Sequence, residues 1–240
     1  MDKPEKLKDN LLKIKSQGFR AFKIGWGPFG KHNSATDEAI VKAAREAIGT
    51  DSLLMVDAGG SDAFWPNGYK WALNTSKMLA DYDVHWFEEA LNPDNLDDYV
   101  KLREHSPIPI SGGEVLTRRQ SFLPWLKAHA FDIVQPDVTK VGGISEERRI
   151  AQMAQDYDIR FIPHGWNTTV GLAADLHLAS AFPQTDLVEY LIGSPFIDEI
   201  TVGGWKLDQD GMLAIPTKPG LGIDLDLDVL KKYKGGAEFM

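Results

Sequence analysis

A chain of 240 residues, 43% hydrophobic and 25% charged, has the length of one barrel-sized domain and enough apolar side chains for a large core, which excludes a disordered chain. The net charge of −9 comes with no basic cluster, which excludes a nucleic-acid surface and a polybasic membrane contact and suits a protein that holds a cation. No cysteine is present, so disulfides and thiol chemistry are excluded; with no apolar run of membrane-spanning length and no apolar leader in MDKPEKLKDN, a soluble cytoplasmic protein is expected.

Residues 4–17 set Leu7, Leu11 and Ile14 on one face of an expected amphipathic helix closed by Gly18. Phe19 to Ile24 reads as a strand, followed by the loop GWGPFG. A helix is expected over 36–48, with Thr36 as its N-cap. The apolar run LLMVD ends on Asp57 and reads as a buried strand. The aromatic loop SDAFWPNGY after it is a candidate cover for a substrate. Helices over 71–82, 94–105, 118–129, 145–157 and 170–181 then alternate with strands ending near Glu88, Glu114, Asp137, His164 and Glu189. The last fifty residues lose this period and read as a tail with a hairpin at Asp210-Gly211.

Strands that end on polar groups every 25–30 residues or so are what a (β/α) barrel of the TIM type sets around its C-terminal face. The barrel is placed at 1–195 and a wrapping tail at 196–240. Seven strands are counted, ending near Lys23, Asp57, Glu88, Glu114, Asp137, His164 and Glu189, where a closed barrel needs eight. The chain opens on a helix, so the first barrel strand is expected to be missing.

Asp57, Glu88 and Glu114 end three successive strands, which brings three carboxylates together. Any one of them alone suits a helix cap. All three together repel one another unless some are protonated or a divalent cation neutralises them, and hard oxygen donors suit Mg²⁺. Glu89 falls on the opposite face by strand alternation and reads as structural. Asp137 beside His164 makes either a general base with a fixed tautomer or a structural pair. Lys23 ends its strand at the site, as a group that meets negative charge on a substrate oxygen or as a surface cation. Glu189 lies across from Lys23 and donates a proton if neutral. Lys140, three residues past Asp137, faces the mouth or solvent. His32, His85, His105, His129 and His177 read as surface or packing residues. A metal, an imidazole base and a lysine suit removal of the proton α to a carboxylate, with the metal and Lys23 stabilising the enediolate.

The segments GFRAFKIGWG, LLMVDAGG, HWFEEAL, SGGEVLTRRQSF, IVQPDVTKVGGISEERRIA and FIPHGW, in this order, resemble the enolase superfamily, mandelate racemase group, over about residues 5–225. The resemblance implies an enolase-like C-terminal barrel domain. It also implies Mg²⁺ on Asp57, Glu88 and Glu114, a His164–Asp137 base, and carboxylate binding by Glu189. Lys140 matches a lysine of racemase-like members, and Trp166 and Asn167, which follow His164, join it as substrate-binding candidates. Members carry an N-terminal capping domain that this sequence is expected to lack. Many carry Lys-x-Lys on the strand of Lys23, where this sequence has Gly25, so the base for the opposite substrate face is absent. Gly59 and Ala90 also depart from the usual Asn and Pro. A single base suits dehydration, and TRRQSF and QPDVT…GGISEERRIA look most like acid-sugar dehydratases such as L-rhamnonate dehydratase. The resemblance thus implies dehydration of a small sugar acid to a 2-keto-3-deoxy acid, and a homo-oligomer in the full-length form. Its rivals are a racemase, epimerase or cycloisomerase on the same enediolate, and a truncated barrel with little activity of its own.

Overall fold

The structure, a computed structural model, describes residues 3–27, 29–59 and 68–233. The elements run α1 (Pro4–Lys15), β1 (Ala21–Gly25), α2 (Ser34–Ile48), β2 (Leu53–Asp57), α3 (Tyr69–Ala80), β3 (Val84–Glu88), α4 (Leu96–His105) and β4 (Ile110–Gly112). They continue as α5 (Arg118–Lys127), β5 (Ile133–Val134), α6 (Val138–Val141), α7 (Ile144–Asp156), β6 (Arg160–Phe161), α8 (Thr169–Ser180), α9 (Pro195–Asp198) and α10 (Leu227–Tyr233). Strands β1 to β6 form one parallel sheet in chain order, so every strand is reached from its neighbour by a helical crossover. Among the described residues no helix is long and apolar enough to cross a membrane.

Strand side chains alternate between two cores. Phe22, Ile24, Leu54, Val56, Phe87, Ile110, Val134 and Phe161 pack under the helices with Ile40, Ile48, Leu79, Leu102, Leu126 and Ile150. Met55, Trp86, Ile133 and Ile162, with Ala21 and Leu187, fill the concave side. The pairing of β2 with β3 shifts register between Leu54 and Met55, whose partners are Val84 and Trp86. The extra residue, His85, is a bulge that turns Trp86, and with it Glu88, inward. The register then aligns Gly25 with Asp57, Asp57 with Glu88, and Glu88 with Ser111. One row of strand ends thus carries the acids.

Four expectations are corrected. The segment carrying Glu189 is not a strand: residues 185–191 hold no regular structure, and only Leu187 joins the inner core. Six strands, not seven, are present among the described residues. Glu114, Asp137 and His164 lie just past their strands rather than on them, because Gly113 (φ +115) turns the chain and Pro136 and Pro163 offer no N–H to the ladder. The N-cap of α2 is Asn33, whose side chain accepts from the Thr36 N–H at 2.9 Å. The expected hairpin does form, with Asp208 N–H on Met212 O at 2.9 Å. In the aromatic loop SDAFWPNGY, residues 61–67 lie outside the described residues.

Candidate active site

Two of the acids, Asp57 and Glu88, meet Lys23. Lys23, pointing inward from β1, puts Nζ 2.6 Å from Glu88 Oε1 and 3.7 Å from Asp57 Oδ2, and it also pairs with Glu189. Trp86 Nε1 donates to the other Glu88 oxygen at 3.0 Å, and the Gly59 N–H donates to Asp57 Oδ1 at 2.7 Å. Each carboxylate is therefore held at one oxygen by a fixed donor. One donor atom from each of Asp57, Glu88 and Glu114 lies within 4.8 Å of the other two.

Burial, with Glu88 beside it, pushes the Asp57 carboxyl well above its ordinary range even against Lys23. Burial opposes the Lys23 charge, but Glu189, Glu88 and Asp57 together raise its pKa well above the usual lysine value. Three hard oxygen donors gathered in one place, with burial and Glu88 working against the charge on Asp57, make a donor set that fits a divalent cation.

Asp137 is the N-cap of α6. Its Oδ1 accepts from the Thr139 N–H at 2.7 Å and hydroxyl at 2.5 Å, which leaves Oδ2 for His164 Nδ1 at 2.8 Å. The His164 backbone N–H is fixed on Pro136 O at 2.9 Å, so the dyad is tied at both backbone and side chain. His164 Nε2 reaches Glu114 Oε2 at 2.9 Å and Glu189 Oε2 at 3.9 Å. Burial works against charge on the imidazole, yet Asp137 and Glu114 raise its pKa to about 10. Conversely, burial would raise Glu114, but the His164 hydrogen bond and charge hold it at about 2. Glu189 accepts from the Gly165 N–H at 2.5 Å, and Lys23 and His164 outweigh its burial and lower its pKa.

The other substrate-binding candidates divide. Lys140 faces the site, with Nζ 3.4 Å from Glu114 Oε1 and 3.8 Å from Asp137 Oδ2. Trp166 is 60% exposed and stacks on Trp26 with ring centroids 5.5 Å apart. The Asn167 side chain turns toward α8, where its Nδ2 reaches Asp175 Oδ2 at 3.5 Å. The sequence reading missed Trp86 and Thr139, although the first lies two residues before Glu88 on the same face and the second forms an Asx turn with Asp137. It also placed Glu89 on the wrong side. Glu89 has φ +47, which breaks the alternation, and its Oε2 lies 2.3 Å from where a Gly59 Cβ would stand. Burial, then Glu114, Asp57 and Glu88, raise its pKa well above the carboxylate range. No local sequence signal marks a left-handed glutamate.

The sequence profile described as "Enolase C-terminal domain-like" matches residues 6–229. D-galactarolactone cycloisomerase of Agrobacterium fabrum is 33% identical, over 97% of this chain and 62% of its own length. Arabinonate dehydratase of Saccharolobus solfataricus is 32% identical, over 96% of this chain and 59% of its own. The crystal structure of 3,6-anhydro-D-galactonate cycloisomerase from Zobellia galactanivorans matches with a TM-score of 0.85 at 34% identity, covering 96% of this chain and 63% of that one. The chain spans about 60% of the length of these relatives. Its parallel α/β sheet is the barrel domain they share, and the chain belongs to the enolase C-terminal domain-like family.

Proposed function

We propose that the chain carries the catalytic barrel of a Mg²⁺-dependent sugar-acid dehydratase, which converts an aldonate or aldarate to a 2-keto-3-deoxy acid. The observation that carries this reading is one-sided. A buried imidazole, anchored at Nδ1 by Asp137, turns Nε2 toward the Asp57–Glu88–Glu114 cluster. No second base can stand on β1 at Gly25, where φ is +121 and a Cβ would lie 2.1 Å from Asp57 O.

Asp57, Glu88 and Glu114 would hold Mg²⁺, which supplies concentrated positive charge that favours loss of a proton next to a carboxylate. With Glu114 turned to the cation, His164 would lose the partner that keeps its Nε2 protonated; Nε2 then takes the α-proton, and Asp137 stabilises the imidazolium that results. Lys23 meets the negative charge that builds on the substrate carboxylate. The same Nε2–H then protonates the β-hydroxyl as its C–O bond breaks. Water leaves, and the enol tautomerises to the 2-keto acid. With one base doing both tasks, the α-proton and the β-hydroxyl leave from the same face.

A second reading is favoured by the similarity to two cycloisomerases. It uses the same α-proton abstraction but gives a product isomeric with the substrate. Incubating the protein with Mg²⁺ and a set of sugar acids or lactones, then trapping carbonyl product with a hydrazine reagent and weighing it by mass spectrometry, separates the two. Dehydration gives a keto product lighter by one water. An isomer of unchanged mass moves the assignment to cycloisomerisation. Turnover undiminished in His164→Asn removes both readings.

A further inference from the structure

Behind the dyad lies a buried polar pair that the chemistry above does not use. Asn167 follows His164 by three residues and sets its amide in a notch over Gly171 of α8, where a Cβ would meet Asn167 Cγ at 2.3 Å. Its Nδ2 reaches Oδ2 of Asp175, one turn further along α8, at 3.5 Å. Asp175 is wholly buried, and its Oδ1 has no partner; nor has the buried Oδ1 of Asn167. Two unpartnered oxygens on two side chains already joined at their other ends have one simple resolution. A protonated carboxyl and a primary amide close a ring of two hydrogen bonds, O–H to the amide oxygen and N–H to the acid oxygen, which satisfies all four atoms.

We infer that Asp175 is a positioning residue that works in its protonated form, closing an acid–amide ring with Asn167 that locks the His164–Asn167 loop onto α8. The surroundings favour the neutral form. Asp137 at the start of α6 and Glu189 add negative potential, against the Asn167 hydrogen bond and His164, while Glu147 of α7, wholly buried with both oxygens unpartnered, is itself neutral in this range. Burial above all, with Asp137 and Glu189, pushes Asp175 up to about 8. Above that pH the ring opens, because two lone pairs then face each other across it. Asn167 is thereby reassigned from substrate binding to loop positioning. The catalytic consequence rests on His164 being the base, but the ring itself does not.

The test on the whole chain is therefore spectroscopic first. In infrared difference spectra across pH 8 or so, where Glu147 also titrates, one protonated-carboxyl C=O component lost in the wild type should be missing from Asp175→Asn, whose amide closes the same ring at every pH, and should persist in Glu147→Gln. Fluorescence of Trp166, next to Asn167, should shift with the same midpoint in the wild type, but not in Asp175→Asn or in the control Trp166→Phe. On a sugar acid that turns over, Asp175→Ala should lower kcat by about 10²-fold with KM held, and Asp175→Asn should restore it and extend activity to higher pH. The inference is overturned if Asp175→Asn keeps the wild-type band and midpoint, or if it disturbs Trp166 as much as Asp175→Ala does. Failure of every substrate with the spectroscopic result intact would count against the dehydratase reading alone.

Discussion

At Asp137 two roles share one carboxylate, and they separate by substitution. Oδ1 caps α6 through Thr139, and Oδ2 orients His164. Asp137→Asn keeps an oxygen for the cap but sets an NH₂ against Nδ1, which drives the imidazole to the wrong tautomer. It should cost about 10²–10⁴-fold in turnover with the unfolding midpoint close to wild type, whereas Asp137→Ala should also lose about 1 kcal/mol of cap. Gly171→Ala sets two known effects against each other. Alanine in a helix interior is favoured over glycine by about 1 kcal/mol, but here its Cβ displaces Asn167 from the notch. Displacement should win, read as a net fall in urea midpoint together with a shift in Trp166 emission. A higher midpoint with unchanged emission would show that the notch has room to spare. Residues such as Asp57 and His164 were legible because each closes an apolar run. Asp175 was not, because on a helix buried all round, nothing in the sequence tells a buried acid from an exposed one.

Helices were legible in the sequence through their 3.6-residue period, and strand order through alternation of the two types, but the strands' inner ends were not. Pro136 and Pro163 stop the ladders early, and the bulge at His85 resets which residues of β3 face inward. The Glu189 segment looked like a strand by composition, yet residues 185–191 join no ladder, and the Glu189 side chain is held instead by the Gly165 N–H and Lys23. Between helices α7 and α8 the cost of buried acids is measurable. Burial, with Asp175 and Asp137, raises Glu147 from the ordinary 4.5 to about 9. Between those values the folded chain holds a proton that the unfolded chain has lost, so stability must fall as pH rises through that window and is fully present only below its lower end. Glu147→Gln removes its share of this dependence, while Asp175, raised in the same way, keeps its own. Urea midpoints at about pH 5 and about pH 8 should therefore lie closer together in Glu147→Gln than in the wild type. An equal spacing would place the pH dependence elsewhere.

For the molecule as a whole, the proposed cation site would link folding to cation binding. Without a cation, Asp57 sits among like charges, and its raised pKa marks a folded state penalised for its ionisation. Asp57→Asn should therefore raise the midpoint of the metal-free protein at neutral pH: the amide oxygen still accepts from Gly59, and the lost contact to Lys23 is the long one at 3.7 Å. Mg²⁺ should reverse the ranking. A ligand at 100 times its Kd adds about 2.7 kcal/mol to the folded state, and only the wild type, with three charged donors, should gain it. Binding should also release protons from the wild type, since Asp57 must ionise to ligate, and calorimetry in two buffers of different ionisation enthalpy reads that release directly. The two curves, midpoint against Mg²⁺ concentration for wild type and for Asp57→Asn, should cross. If they run parallel, the cation stabilises the protein from some other place, and the triad is only an acid cluster balanced by Lys23.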